Sequence, residues 1–301
     1  MMTFSSIEIK KFTVFNDVNI NFGQGVNVII GENGTGKTHL LKLIYADNFD
    51  TLKPESKEDI INALFYSDIT VSRDFVNTIE YDGKPANYVF IPAKEMLSMS
   101  KLRFLHEEYS KDFPIDRTLV DIIKKAQILK PNTPPALAQK IAPILEKIID
   151  GTVFMKEDGT FWIKKHNQME IPFAMESEGF RKLGLLWQLI MNKSITKETV
   201  LLWDEPEANI NPKLAPIIVD ILFALASQGV QIFMATHDYT FAKYFEIRRK
   251  AEDNLLFLSL YKTDDGVKAE TSESFKDLKQ NSIISSLDLL MDEVIEGNMG
   301  D

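Results

Sequence analysis

Three glycines, a lysine and a hydroxyl stand together in Gly31-Glu32-Asn33-Gly34-Thr35-Gly36-Lys37-Thr38, a G-x-x-x-x-G-K-T arrangement suited to gripping a polyphosphate. Backbone N–H groups of Asn33, Gly34, Thr35 and Gly36 close around phosphate oxygens, because glycine tolerates the required turns. Lys37 reaches the β and γ oxygens, and Thr38 supplies a hard oxygen ligand for Mg²⁺. A second group, Asp204-Glu205, ends the apolar run Val200-Leu201-Leu202-Trp203 and precedes Pro206. There Asp204 would hold Mg²⁺, directly or through its water, and Glu205 would polarise an attacking water as general base or water-positioning group. A third, Thr236-His237-Asp238, follows the apolar stretch Ile232-Phe233-Met234-Ala235. His237 could hydrogen-bond a terminal phosphate and the water, or serve as an ordinary structural histidine.

These groups need strands that end together. Val26, Val28, Ile29 and Ile30 read as a buried strand delivering the loop, and His39 to Ile44 as the first turns of a helix over 37–46. Upstream, Ile7–Lys10, Val14-Phe15 and Val18–Phe22 read as a strand meander. Beyond the loop, a polar stretch from Asp47 to Asp59 leads to a short helix near 57–66. Strands follow at Ile69–Val71, Thr78–Tyr81 and Asn87–Ile91, the last two joined as a hairpin at Asp82-Gly83. From Pro92 to Asp150 the spacing is helical, over Lys94–Tyr109, Ile115–Leu129 and Pro135–Ile149, with Pro143 expected to kink or break the last helix. A strand-turn-strand over Val153–Lys165 returns the chain to sheet. A helix over Ser177–Lys193 then leads into strand 199–203, helix 213–227, strand 230–235, helix 239–250, two strands within 255–271 and a helix near 282–296. Strands alternating with helices imply a parallel sheet covered by helices.

The chain has 301 residues, no cysteine and a formal net charge of −10. That charge argues against bulk electrostatic binding of nucleic acid. It leaves open a local patch from Lys101/Arg103, Lys124/Lys125, Lys164/Lys165 or Arg248/Arg249/Lys250. The missing cysteines exclude thiolate metal sites, and the scattered His39, His106, His166 and His237 do not suggest a structural zinc site. No apolar run is long enough for a membrane span and the N-terminus lacks a secretory layout, so a cytoplasmic location with no membrane partner is expected.

The order phosphate loop, Ser-x-Gly at a helix start, apolar-Asp-Glu-Pro and apolar-Thr-His-Asp resembles the ATP-binding-cassette (ABC) ATPases. It is most similar to their RecF/SMC-like stand-alone branch, which includes antiphage-defence ATPases of the Septu and overcoming-lysogenization-defect types. The resemblance implies an α/β phosphate-loop NTPase with ABC-ATPase head architecture: a mixed, largely parallel sheet flanked by helices, an antiparallel β subdomain and a helical insertion. Residues 1–91 and 151–301 would form the two lobes of the head, and 92–150 the insertion. It also makes Glu176-Ser177-Glu178-Gly179-Phe180-Arg181-Lys182 the signature motif, in which Ser177 and Gly179 complete the ATP site of the opposite subunit. As a good helix N-cap, Ser177 suits that role, or the plainer one of starting a core helix.

Glu178 and Phe180 depart from the transporter pattern Leu-Ser-Gly-Gly-Gln. Pro92-Ala93-Lys94-Glu95 occupies the place where the family carries a glutamine. Asn209-Ile210-Asn211-Pro212 stands at the loop that connects the two sites of a dimer, and equally reads as a turn. Phe12 and Phe15 lie at the right distance to stack on adenine, and are equally plausible as core.

The implied function is hydrolysis of ATP with Mg²⁺ by an ATP-gated dimeric switch, with Lys37, Glu205 and His237 as the catalytic set. The homodimer would form through the ATP sites, with higher oligomers left open. With too little chain after His237 for an appended nuclease, the output is expected to pass to a separately encoded, nuclease-like effector in antiphage defence or DNA maintenance, with nucleic acid left open as a partner. The alternatives are the ATPase subunit of a transporter and a non-turnover ATP-binding scaffold or sensor.

Overall fold

The computed structural model describes residues 3–49, 57–65, 75–85, 87–109 and 115–299. In chain order, β1 (Thr3–Phe12), β2 (Phe15–Asn21) and β3 (Val26–Gly31) lead into α1 (Lys37–Ala46) and α2 (Lys57–Phe65). Next come β4 (Val76–Asp82), β5 (Asn87–Ile91), α3 (Leu102–Tyr109), α4 (Arg117–Ala126) and α5 (Ala136–Ile149). The short strands β6 (Gly151–Met155), β7 (Phe161–Lys165) and β8 (Glu170–Pro172) precede α6 (Glu178–Met191). The chain then alternates through β9 (Thr199–Asp204), α7 (Ala215–Ser227), β10 (Gln231–Ala235) and α8 (Tyr239–Arg248), and closes with β11 (Leu255–Thr263), β12 (Gly266–Ser272) and α9 (Ser282–Met299).

The strands make a six-stranded sheet in the order β12-β11-β3-β10-β9-β5 and two three-stranded sheets, β2-β1-β4 and β6-β7-β8. All pairings in the central sheet are parallel except the edge pair β11–β12. Both smaller sheets are antiparallel. This is the α/β head with an antiparallel β component that the motif order implied.

The two-residue alternation of the strands divides the core. Val28, Ile30, Leu201, Trp203, Ile232 and Met234 pack on one face of the central sheet with residues of α4 to α8. Ile29, Val200, Leu202, Phe233 and Ala235 pack on the other with α1, α2 and the strand pair β1–β2. With both faces covered, β3, β9 and β10 read as continuous apolar runs rather than as alternating ones. Gln231, at the start of β10, ties the β1 sheet to this layer: its Oε1 accepts from the Phe4 N–H at 2.8 Å, and its Nε2 donates to the Phe4 and Gly23 carbonyls.

Helix α6 is buried on almost every side, Lys182 and Gln188 included. Its polar residues are used internally. Gln188 and Asn192 each donate to the Ala126 carbonyl, and Asn192 also to Lys125 and Ile128, so they satisfy carbonyls at the open C-terminus of α4. Through these contacts and the apolar faces of α4 and α5, segment 92–150 packs into the same core as the central sheet.

Several expectations need correction. β4 and β5 are not a hairpin: β4 pairs with β1 and β5 pairs with β9 in a different sheet, so Asp82-Gly83 turns the chain between layers. The meander also divides, since β1 and β2 pair while β3 leaves for the central sheet. Segment 94–109 is a 3-10 turn at Leu97–Met99 followed by α3, because the Glu95 carboxylate accepts from the Leu97 and Ser98 N–H groups and caps that turn. β8 was not anticipated, and the strand expected at Ile69–Val71 lies outside the described residues.

Pro143 does not break α5, which runs continuously through it. The proline is on the solvent side, so the carbonyl of exposed Gln139 that loses its partner is left to water. The buried stripe Leu137, Ala138, Ile141, Ala142, Leu145 and Ile149 holds the helix in place. Replacing the proline restores one helical hydrogen bond at no packing cost. Pro143→Ala is expected to raise stability by about 1–3 kcal/mol, read as a higher urea midpoint with an unchanged slope. A lowered midpoint would show that the ring is needed where it stands.

Candidate nucleotide-binding site

β3, β9 and β10 end in register: Ala235 is opposite Ile29 on one side and Asp204 on the other. The loop after each strand therefore opens on the same sheet edge, where α/β folds bind ligands.

The loop after β3 bends because three of its glycines take positive φ, at +150° for Gly31, +78° for Gly34 and +87° for Gly36. At Gly36 a β-carbon would also lie 2.7 Å from Val14 Cγ2 and 2.8 Å from Phe15 Cζ, so glycine is required for space as well as torsion. Asn33 and Gly34 are exposed at the rim. Thr35 is buried, and both its hydroxyl (2.9 Å) and its N–H (3.4 Å) bond the Glu32 carbonyl, bracing the loop. Lys37 folds its ammonium onto the loop's own carbonyls, 2.7 Å from Gly31 O and 3.0 Å from Glu32 O. Burial draws its pKa down, against the pull of Glu205, Asp204, Glu207 and Glu32.

Thr38 Oγ1 donates to Asp204 Oδ2 at 2.8 Å, so the two expected metal ligands are adjacent. Burial pushes the Asp204 carboxyl up, the Thr38 hydrogen bond pulls it down, and Glu205 pushes it up further. Two hard oxygens beside a phosphate loop suit Mg²⁺, which takes only one or two protein ligands besides phosphate oxygens and water. Among the described residues no cluster of three His, Asp or Glu side chains offers a site for another kind of metal.

Glu205 takes a left-handed backbone, φ +46°, and its Oε1 is 3.1 Å from His237 Nδ1. Its N–H bonds the Ala235 carbonyl and its C=O accepts from Lys182 Nζ at 3.0 Å. Lys37, Thr38, Asp204, Glu205 and His237 are thus brought to one place. Ser177 and Gly179 are not joined to the loop by any hydrogen bond among the described residues. Ser177 is the N-cap residue of α6, exposed, and its hydroxyl makes no capping bond. Gly179 is buried against the next segment, where a β-carbon would lie 2.6 Å from Asn209 O.

Phe12 and Phe15, the proposed adenine platform, are fully buried core residues. Thr13 and Val14, between the two strands that carry them, are the accessible residues of that turn. Several residues of the basic clusters are paired with acids: Arg103 and Lys124 with Glu107, Lys165 with Glu176, Arg248 with Asp220, and Arg249 with Glu273.

Four residues of the site were given no individual role from sequence, Arg181 and Lys182 having been named only as members of the signature motif. Glu207 accepts from Thr236 Oγ1 at 2.5 Å, and burial raises its pKa. Arg181 Nε lies 3.2 Å from Oε2 of buried Glu95, linking the start of α6 to the loop after β5. Lys262, on β11, donates to the Asn33 carbonyl at 3.2 Å. Lys182 is the fourth. Its place between Gly179 and the apolar Leu183 and Leu186 was the available signal.

Known proteins resemble this chain in family and in fold. The family described as "AAA domain, putative AbiEii toxin, Type IV TA system" matches residues 84–242, and one described as "AAA domain" matches 6–132. A 44-residue stretch is 48% identical to the DNA replication and repair protein RecF of Bacillus cytotoxicus, covering 15% of this chain and 12% of that protein. The glutamate transport ATP-binding protein GluA of Corynebacterium glutamicum is 23% identical over 269 residues, 87% of this chain and 85% of GluA. Among solved structures, an Smc head bound to the C-winged helix domain of ScpA superposes with a TM-score of 0.54 at 13% identity, covering 91% of this chain and 98% of that one. The Pyrococcus furiosus Smc head with an extended coiled coil gives 0.51 at 12% identity, covering 98% and 100%. These likenesses are of fold.

The carboxylates set an expected pH response. Asp204 and Glu207 have folded pKa values above their unfolded ones, so the native protein binds more protons in the window between the two. Their contribution therefore favours folding as pH falls through the raised folded values towards the unfolded ones, and opposes it above. Asp204→Asn is expected to stabilise the protein at pH 7 by about 1 kcal/mol and to flatten the rise of stability with falling pH that the raised Asp204 pKa produces, measured by urea unfolding at each pH. A variant less stable than wild type at pH 7 would contradict this.

Proposed function

The chain belongs to the AAA-domain family that matches it over residues 84–242, and from that premise we propose that it hydrolyses ATP as a two-headed switch. The observation that carries the reading is the adjacency of Lys37, Thr38, Asp204, Glu205 and His237 at one sheet edge, with Ser177 left outside it. On this reading 1–91 and 151–301 are the lobes of one head, with 92–150 inserted between them.

Lys37 would leave the Gly31 and Glu32 carbonyls for the β and γ oxygens of ATP, while N–H groups of the loop and of the α1 N-terminus hold the phosphates. Thr38 and Asp204 would hold Mg²⁺, which supplies charge neutralisation at the phosphates. Glu205 orients and deprotonates the attacking water, and the His237 ring fixes its carboxylate through Nδ1. Ser177 and the free N–H groups at the start of α6 would bind the γ-phosphate held by a second copy of the chain, and Gly179 lets that helix start sit against Asn209. The exposed Ser177 hydroxyl supports this reading, since a purely structural N-cap would bond its own helix.

The output of the switch would be delivered to a separate effector of nuclease type, in defence or DNA maintenance. The short likeness to a replication and repair protein and the toxin–antitoxin wording of the family both favour that setting. Among the described residues no helix is long and apolar enough to cross a membrane.

Glu205→Gln keeps size and hydrogen bonding but loses the base. Its turnover is expected to fall about 100- to 10,000-fold while ATP binding survives, and it should run as a dimer in size exclusion only with Mg-ATP. Equal turnover in wild type and variant would overturn the hydrolytic reading. A variant that stays monomeric at saturating Mg-ATP would overturn the two-headed one.

A further inference from the structure

Lys182 is a cation that the chemistry above does not use. It lies on the second turn of α6, fully buried, and its ammonium donates to the Glu205 carbonyl at 3.0 Å. An ammonium is kept in such a place only with hydrogen bonds and nearby opposite charge. The carboxylates of Glu207, Glu178, Glu205 and Asp204 supply that charge, countering the downward pull of burial on its pKa.

The bond falls on a peptide under constraint. Glu205 takes φ +46°, a left-handed conformation that is strained for a residue with a side chain and persists only where surroundings hold it. Three contacts hold it: β10 through the Ala235 carbonyl, the following turn through the Ala208 N–H, which donates to the Glu205 carbonyl at 3.1 Å, and α6 through Lys182, which reaches that carbonyl from a different element. Helix α6 touches the following turn as well, since Gly179 packs directly on Asn209 and Ile210. The residue that opens this helix is Ser177, five positions before Lys182, a distance of about 7–8 Å along the axis. Any shift of the helix start is therefore felt at the backbone that aims the Glu205 carboxylate.

We propose that Lys182 is a positioning residue that couples engagement of Ser177 by the nucleotide of a second chain to the placement of Glu205 in its own site. Each head would then become competent only when its signature helix is occupied, and the two sites would fire together. This rests on the two-headed reading above and adds to it a route between the sites.

The test uses the full chain with Lys182→Met, which fills the volume but removes charge and donor, and Lys182→Arg, which keeps both. ATP turnover is measured against ATP concentration, alongside Mg-ATP dimerisation by light scattering and thermal melts. For Lys182→Met, kcat is expected to fall about tenfold to hundredfold with KM within about threefold of wild type, since misplacement of a general base by a fraction of an ångström acts on the chemical step. Dimerisation should persist, and the sigmoidal dependence on ATP expected of wild type should become hyperbolic. Lys182→Arg should recover most of both.

Wild-type kcat and sigmoidicity in Lys182→Met would overturn the proposal. So would losses in Met and Arg variants that simply track a lowered melting temperature, which is what a space-filling role predicts. If the Met variant does not fold, Lys182→Gln takes its place and is judged by the same two outcomes. A wild type that dimerises but turns over no ATP would instead overturn the hydrolytic reading on which the proposal stands. That result is distinct from normal wild-type turnover unaffected by loss of Lys182.

Discussion

The structure depends on the in-register ending of three neighbouring parallel strands. β10 is hydrogen-bonded to β3 on one side and β9 on the other, so Ile29, Asp204 and Ala235 lie level across the sheet. Each strand then hands over to a loop with one chemical task. A slip of one residue in any pairing would also turn its apolar side chains to the opposite layer, which both packed faces resist. Core packing and site geometry are therefore one constraint.

Within that frame the site gathers buried charge. Asp204 and Glu207 have raised pKa values, and two buried lysines, Lys37 and Lys182, each feel the charges of Asp204, Glu205 and Glu207. Lys37 is held by carbonyls that phosphate oxygens would displace it from, whereas Lys182 is held by the backbone of Glu205. On the proposed reading, one cation would meet the nucleotide and the other would fix the group that acts on it. Groups so arranged cost stability while waiting for charge to arrive, which is common where binding and chemistry coincide.

The site was legible in the sequence to the extent that its chemistry is local. The phosphate loop carries its glycines, lysine and threonine in eight consecutive residues, and Asp204-Glu205 and His237 each close an apolar run. Strand pairing is not local, so Asp82-Gly83 looked like a hairpin turn although the strands on either side join different sheets. Pro143 misled because its effect depends on which face of α5 it occupies, and the solvent face tolerates it. Phe12 and Phe15 stood at the right spacing for a base platform, but β1 and β2 turn both into the core. Lys182 was hidden for a related reason: a charged residue in an amphipathic helix reads as surface until the helix proves to be buried all round.

The central claim is that one chain carries half of two sites. It is tested most directly by mixing Lys37→Ala, which lacks a working phosphate loop, with Ser177→Arg, whose signature end is blocked. Each alone should be inactive. Mixed one to one at saturating Mg-ATP, the two variants can pair around a single intact site, so the mixture should form heterodimers that neither variant forms alone. A mixture as monomeric as its separate components, or a Ser177→Arg protein that hydrolyses ATP normally by itself, would contradict a site shared between chains.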